Sequence, residues 1–106
     1  MSPTDVKQTI AISSTDTLQK YIGTVATDIG SARIKAVQAQ ASGANGSVKI
    51  YNATDATTAS TLVFEAKWGI NNGDIITFYL PQNGIRCKTA MHAVLSNCDF
   101  LVVTFD

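Results

Sequence analysis

Charge is scarce in this chain. Only 15% of its residues are Asp, Glu, Lys or Arg, and 8 basic side chains balance 8 acidic ones. Soluble domains usually carry about 25%, and proteins that grip duplex nucleic acid show a basic excess or patch. Neither is visible here, which argues against nucleic acid as a partner. Histidine occurs once, at His92, so one side chain alone has an unperturbed pKa near neutrality. Two cysteines, Cys87 and Cys98, are too few for a disulfide framework. In a reducing cytoplasm they read as small buried hydrophobes. No apolar run approaches the roughly 18 to 20 residues of a membrane helix. Met1-Ser2-Pro3-Thr4-Asp5 lacks the basic and apolar parts of a signal peptide, so the expectation is synthesis in a cytoplasm without export.

The chemistry of a catalytic site is missing too. A Cys-His nucleophile system would have to join His92 to Cys87 or Cys98. The alternation of His92 with Met91 and Ala93 places it on the outward face of a strand, and nothing marks an electropositive setting for a thiolate. One His and two separated Cys fall short of the four ligands of a zinc site. The aspartates (Asp5, Asp16, Asp28, Asp55, Asp74, Asp99 and Asp106) are scattered mostly at turns, where their side chains bond nearby backbone. Glycines stand singly or in hairpin turns and make no phosphate loop. The expectation is a protein that is not an enzyme and holds no metal or cofactor.

What the chain does have is strands. At 106 residues it is one domain. From about residue 31 onward, β-formers are separated by turn chemistry. Arg33 to Ala41 is followed by Ser42-Gly43-Ala44-Asn45-Gly46, then by Val48 and Ile50 alternating with Lys49 and Tyr51. Asn52 to Ala59 reads as a small, polar loop. Leu62, Phe64, Ala66 and Trp68 share one face of the next strand, against Val63, Glu65 and Lys67. Gly69-Ile70-Asn71-Asn72-Gly73 turns the chain into Ile75 to Leu80, and Pro81-Gln82-Asn83-Gly84 ends that strand. Ile85, Cys87 and Thr89 alternate with Arg86 and Lys88. Met91, Ala93 and Leu95 oppose His92, Val94 and Ser96, and Ser96-Asn97 is expected to close a hairpin with the last strand. This pattern predicts an all-β protein: a single antiparallel β-sandwich, jelly-roll-like or Ig-like, over residues 31–106. Residues 1–30 are expected as an extended N-terminal arm with one peripheral strand. A short helix beginning near Thr15 or Asp16 is the competing reading.

The final strand has no polar face. Phe100, Val102 and Thr104 lie on one side, and Leu101, Val103 and Phe105 on the other. Leu95 and Met91 account for cover on one side. The Leu101, Val103 and Phe105 side is expected to meet an arm, the chain's own or a neighbour's. Leu18 and Tyr21 belong to that arm and join the expected contact residues. Tyr51 and Tyr79 fall opposite the main apolar sets of their strands and are expected at a protein contact, with glycan stacking as the alternative. Trp68, in register with Leu62 and Phe64, is expected in the core.

The stretch from Arg33 to Phe105 resembles a group of small proteins encoded by tailed bacteriophages. The likeness rests on Ile34-Lys35-Ala36-Val37 and a Gly-containing turn, then Val48-Lys49-Ile50-Tyr51 and a Thr/Ala/Ser-rich loop. It continues through Pro81-Gln82-Asn83-Gly84-Ile85-Arg86 to Asn97 before an apolar last strand. The family pattern often closes on an aromatic-Gly pair, where this chain has Phe105-Asp106. The resemblance implies a virion component, foremost a capsid decoration (cement) protein on the head exterior. A small tail- or fibre-associated module that binds host glycan, or a head–tail adaptor, is the other implied role. It implies a homo-oligomer, a trimer first, partnered by the major capsid protein or another virion protein. It carries over no catalytic residue.

Overall fold

Four pairs of strands consecutive along the chain are split between two sheets, one member of each pair in each sheet. The structure, a computed structural model, describes residues 7–43, 45–69, 72–80 and 84–106, the backbone alone at 72–74. The predicted turn at Pro81-Gln82-Asn83, the centre of the turn at Ile70-Asn71 and the first six residues of the expected arm lie outside the described residues.

The first pair is β1 (Lys7–Gln8) with β2 (Asp16–Thr17). A hairpin follows, β3 (Gln19–Ile22) and β4 (Val25–Asp28). The second pair is β5 (Ala32–Ser42) with β6 (Ser47–Tyr51), and the third is β7 (Leu62–Lys67) with β8 (Asn72–Tyr79). After β9 (Ile85–Cys87), the fourth joins β10 (His92–Ser96) to β11 (Cys98–Phe105). One sheet, here called A, runs β1-β11-β5-β8, with β9 continuing the β8 edge of β5. The other, B, runs β2-β10-β6-β7. The spatial order is therefore the same in both sheets, as it must be when every pair crosses from one into the other. Pairing is antiparallel throughout, and the described residues contain strands and no α-helix, so the all-β class is as expected.

Local sequence explains the bends. Between β5 and β6 stand Gly43, Asn45 and Gly46, and Asn45 has φ 58°. Asn97, at the matching point of the fourth pair, has φ 49°. Asn tolerates this left-handed conformation better than other side chains. Ser96-Asn97 thus does not close a hairpin: it carries the chain from sheet B to sheet A. β10 pairs with β6, and β11 with β5. The Ser42 N–H donates to the Asn97 carbonyl at 3.0 Å and ties the two corners together.

Trp68 fills the corner. It is buried, its Nε1–H donates to the Gly43 carbonyl at 3.1 Å, and its backbone N–H donates to Gly46 O at 3.1 Å. The indole lies against Gly46 so closely that a Cβ there would overlap the ring. Glycine is required at this site by lack of space.

Bulges reset which residues face inward: Asp99 is an extra residue in β11, so Cys98 and Leu101 are both buried, and two more act in β5 and β7. Phe105 pairs with Ile34 and Thr104 with Ala36, so Lys35 is an extra residue in β5. Ile34 is thereby buried together with Val37, Ala39 and Ala41, which a strict period of two would not allow. In β7, Phe64 pairs with Ile50 but Leu62 with Tyr51. Val63 is the extra residue there. Leu62, expected beside Phe64 in the core, instead lies on the outer face and is 36% exposed.

The core lies between the sheets: Ile34, Val37, Leu101, Val103 and Phe105 from A, and Val48, Ile50, Met91 and Ala93 from B. Burying one large aliphatic side chain contributes about 1.5–3 kcal/mol. The Leu101, Val103 and Phe105 side of the last strand is therefore covered by the opposite sheet and not by an arm. The N-terminal segment meets β11 edge-on. Lys7 pairs with Phe105, Gln8 with Thr104, and Ile12 bridges Leu101. It bends at residues 13–15 and is a strand again at Asp16–Thr17, without a helix, and Leu18 and Ile29 root the hairpin in the core.

Threonine hydroxyls finish these edges. Buried Thr9 donates its N–H to Val103 O at 2.9 Å, and its Oγ1 accepts the Val103 N–H at 3.0 Å. Thr15 Oγ1 accepts the Leu95 N–H at 3.1 Å. Each hydroxyl stands where a ladder carbonyl would be, so the segment can leave a sheet without orphaning a donor.

Two consequences are measurable. Thr9→Val keeps the shape but leaves the Val103 N–H without an acceptor. It should lower the unfolding free energy by about 1–3 kcal/mol in urea titration. Gly46→Ala should displace the indole from the corner. Trp68 is the single tryptophan, so the displacement is read as a red shift of emission in the native state.

Candidate protein-contact faces

The outer face of sheet A is built from every second residue of its strands. Register places Ile75, Gln40 and Phe100 side by side, then Thr77, Gln38 and Val102, then Tyr79, Ala36, Thr104 and Gln8. None of these ten carries a charge. Tyr79 is 81% exposed and Ile75 57% exposed at the open edge, while Phe100 and Val102 are half-buried. The register is regular across these three rows, with irregularities only beyond them, at Asp99 and Ser42 on one side and Lys35 on the other.

The outer face of sheet B differs. Its rows are Thr17, His92, Tyr51 and Leu62, then Val94, Lys49 and Glu65, then Ser96, Ser47 and Lys67. Glu65 meets Lys49 at 3.9 Å and Lys67 at 3.7 Å. Such surface pairs contribute about 0–1 kcal/mol. Tyr51 is half-buried on this face, so Tyr51 and Tyr79 look out from opposite sides of the sandwich and share no site.

A third surface is the β3–β4 hairpin, which belongs to neither sheet. Gly23, at φ 63°, and Thr24 form its two-residue turn. Tyr21, Ile22 and Val25 are each about three-fifths exposed near its tip. Hairpins of two strands are marginal by themselves. This one is held at its root by Leu18 N–H to Met91 O (2.7 Å), Ile29 N–H to Leu18 O (3.3 Å) and Ile10 N–H to Gln19 O (2.8 Å).

Of the expected contact residues, Tyr79 and Tyr21 are exposed and Tyr51 is half-exposed. Leu18, Leu101 and Val103 are fully buried and Phe105 nearly so. These four are corrections. They face the chain's own opposite sheet, and a partner cannot reach them without opening the sandwich. Ile75, Phe100, Val102, Ile22 and Val25 were not anticipated. For the hairpin a signal existed, Gly23-Thr24 between two β-rich runs. For Ile75 and Phe100 there was none, since apolar residues on both faces of a strand do not say which face is inner.

The groups weighed for catalysis stay apart. His92 Nδ1 lies 2.9 Å from Thr17 Oγ1, whose hydroxyl donates to the Thr54 carbonyl at 3.2 Å. Hydrogen bonds from the Thr57 hydroxyl (2.8 Å) and N–H (3.1 Å) to Asp55 Oδ1 hold the Asp55 carboxyl below its usual range, His92 adding a smaller pull. This network fastens β2 and the loop after β6 to β10. Cys87 and Cys98 are buried free thiols. Burial pushes the Cys87 thiol up to about 11, and burial likewise raises Cys98. Among the described residues no three His, Cys, Asp or Glu side chains come together as a metal site, and no helix is long and apolar enough to cross a membrane.

Comparison with protein-family models, curated proteins and solved structures returns no match to this chain.

The thiols give a pH test. The folded-state pKa of Cys87 lies above the ordinary 9.0, so the protonated thiol favours the fold below pH 9, and this is lost as pH rises towards about 11. Stability in urea should fall across that window. At pH 8 both thiols should resist a disulfide reagent in the native protein and react on unfolding; fast native labelling would contradict the buried placement.

Proposed function

We propose that this chain is a structural component of a tailed-bacteriophage particle, a decoration protein that binds the capsid exterior through protein–protein contacts. The observation that carries the reading is the uncharged ten-residue patch on the outer face of sheet A, with Tyr79 and Ile75 at its open edge and the Arg33–Arg86 pair lying outside it, beyond the bulge. Interfaces are depleted of charge at their centres and enriched in aromatics. A neutral face is held by shape and apolar contact, with little electrostatic steering. The resemblance of residues 33–105 to small phage virion proteins points the same way.

Area adds a constraint. Three rows about 7 Å apart across strands about 5 Å apart make a patch of roughly 300–400 Å², against about 800 Å² per partner in a stable complex. One such face holds weakly alone. Repeated by symmetry, as in a trimer seated on a capsid, it holds through many contacts at once. The rigid corner suits this use, because little ordering entropy is lost on binding.

Tyr51, beside His92 and Leu62 on the other sheet, supports the second reading, a glycan-binding module of a tail or fibre.

Binding to heads that lack the protein separates these. The wild type should co-sediment with heads, while Tyr79→Asp/Phe100→Asp should lose at least about tenfold in affinity, a buried unpaired charge costing several kcal/mol. Light scattering should report self-association of the wild-type chain. A strict monomer that ignores heads, or a double variant that binds unchanged, would refute the assignment. Specific hits on a glycan array, lost in Tyr51→Ala, would favour the second reading.

A further inference from the structure

Two backbone edges face each other across an open cleft beside the hairpin. Thr9 is bonded to Val103 of β11, and Lys7 pairs with Phe105 two residues along both strands. Bonded residues alternate in an antiparallel ladder. The N–H and C=O of Gln8 therefore point away from β11, on the side where Ile10 donates to Gln19 O at 2.8 Å. In the hairpin, a two-residue turn makes Ile22 and Val25 the bonded closing pair. Lys20 and Thr27 are then bonded as well, and Gln19 and Tyr21 turn their backbone groups outward from β4. The Gln19 carbonyl, which takes the Ile10 N–H, displays that orientation. The N-terminal segment and β3 are thus joined at Ile10 and Gln19 and diverge from there. Between them lies a cleft of about 830 Å³ lined by Lys7 to Ala11 and Lys20 to Ile22.

Among the described residues its lining charges have one sign. Lys7 and Lys20 are the charged lining residues. Among the described residues the ion pairs are those of Glu65 with Lys49 and Lys67, so neither cleft lysine has a carboxylate partner there. Ile10, Tyr21 and Ile22 supply apolar wall, the last two about three-fifths exposed.

We propose that this cleft binds an extended acidic segment of a partner protein, which adds as a strand against the free edges of Gln8 and Tyr21. Main-chain hydrogen bonds to those edges supply register, in the manner of β-strand addition. Alternate side chains of the segment fall into two sets: carboxylates that reach Lys7 and Lys20 on the face shared with Ile22, and β-branched residues that rest on Ile10 and Tyr21. The volume lies within the roughly 300–1,000 Å³ usual for binding clefts. The inference does not depend on a role in a virion, since any partner with such a segment satisfies it.

A displayed library of random nine-residue peptides, selected on the full chain, tests it. Enriched peptides should be rich in Asp and Glu alternating with Val, Ile or Thr. In fluorescence anisotropy, Lys7→Glu/Lys20→Glu should weaken them at least about tenfold, and raising salt from about 0.05 to 0.5 M should weaken them as well. Gln8→Pro removes an N–H that β11 does not use. It should cost about fivefold, the worth of one net hydrogen bond. Amide NMR shifts should move at Gln8 and Tyr21. No enrichment, a pool without acidic bias, shift changes confined elsewhere, or unchanged binding by the charge-reversed variant would each overturn the proposal. Should Gln8→Pro unfold, the charge-reversed variant and the shift map decide.

Discussion

The corner at Trp68 is the constraint on which the rest of this molecule depends. Each strand pair must pass from one sheet to the other, and backbone donors at a bend lose their ladder partners. The corner restores them locally: Asn45 N–H to Gly69 O at 2.6 Å, Trp68 N–H to Gly46 O at 3.1 Å, Ser42 N–H to Asn97 O at 3.0 Å. The indole closes the space over Gly46 and caps the end of the core. Because the strands bend together, the register of sheet A and that of sheet B are linked. A slip in one would break the other.

That linkage sets what is inside. Once β5 and β6 are paired with β11 and β10, Leu101, Val103 and Phe105 must meet Val48, Ile50 and Met91. What remains outside on sheet A is Phe100, Val102 and Thr104, together with Ile75, Thr77 and Tyr79. The two outer faces then diverge in character, one with an uncharged patch over β1, β11, β5 and β8, the other laced by Glu65 with Lys49 and Lys67. The hairpin adds a third element whose root, Leu18 and Ile29, is part of the core while its tip is free of both sheets.

Much of the fold was readable. Alternation over Val48 to Tyr51 and Met91 to Ser96 gave the correct inner residues, and Trp68 was placed in the core. Reading failed where period two breaks. The extra residues Lys35 and Val63 are ordinary strand formers, and only pairing makes them bulges. Asn97 likewise reads as a hairpin turn. Positive φ serves a crossover equally well, and nothing local separates the two. The candidate surface suffered most. Four of its expected members, Leu18, Leu101, Val103 and Phe105, are apolar residues that the chain itself covers.

Sequence alone determined that this is an all-β chain of zero net charge and few charges, with thiols suited to burial, because period, β-propensity and composition are local properties. It also showed that the last strand has no polar face. Only tertiary structure decided which side is core, that the N-terminal segment lies along an edge, and that Lys7 and Lys20 line one cleft. The reason is physical. A strand with two apolar faces has two nearly equivalent burials, and the choice between them is made by partners distant in sequence.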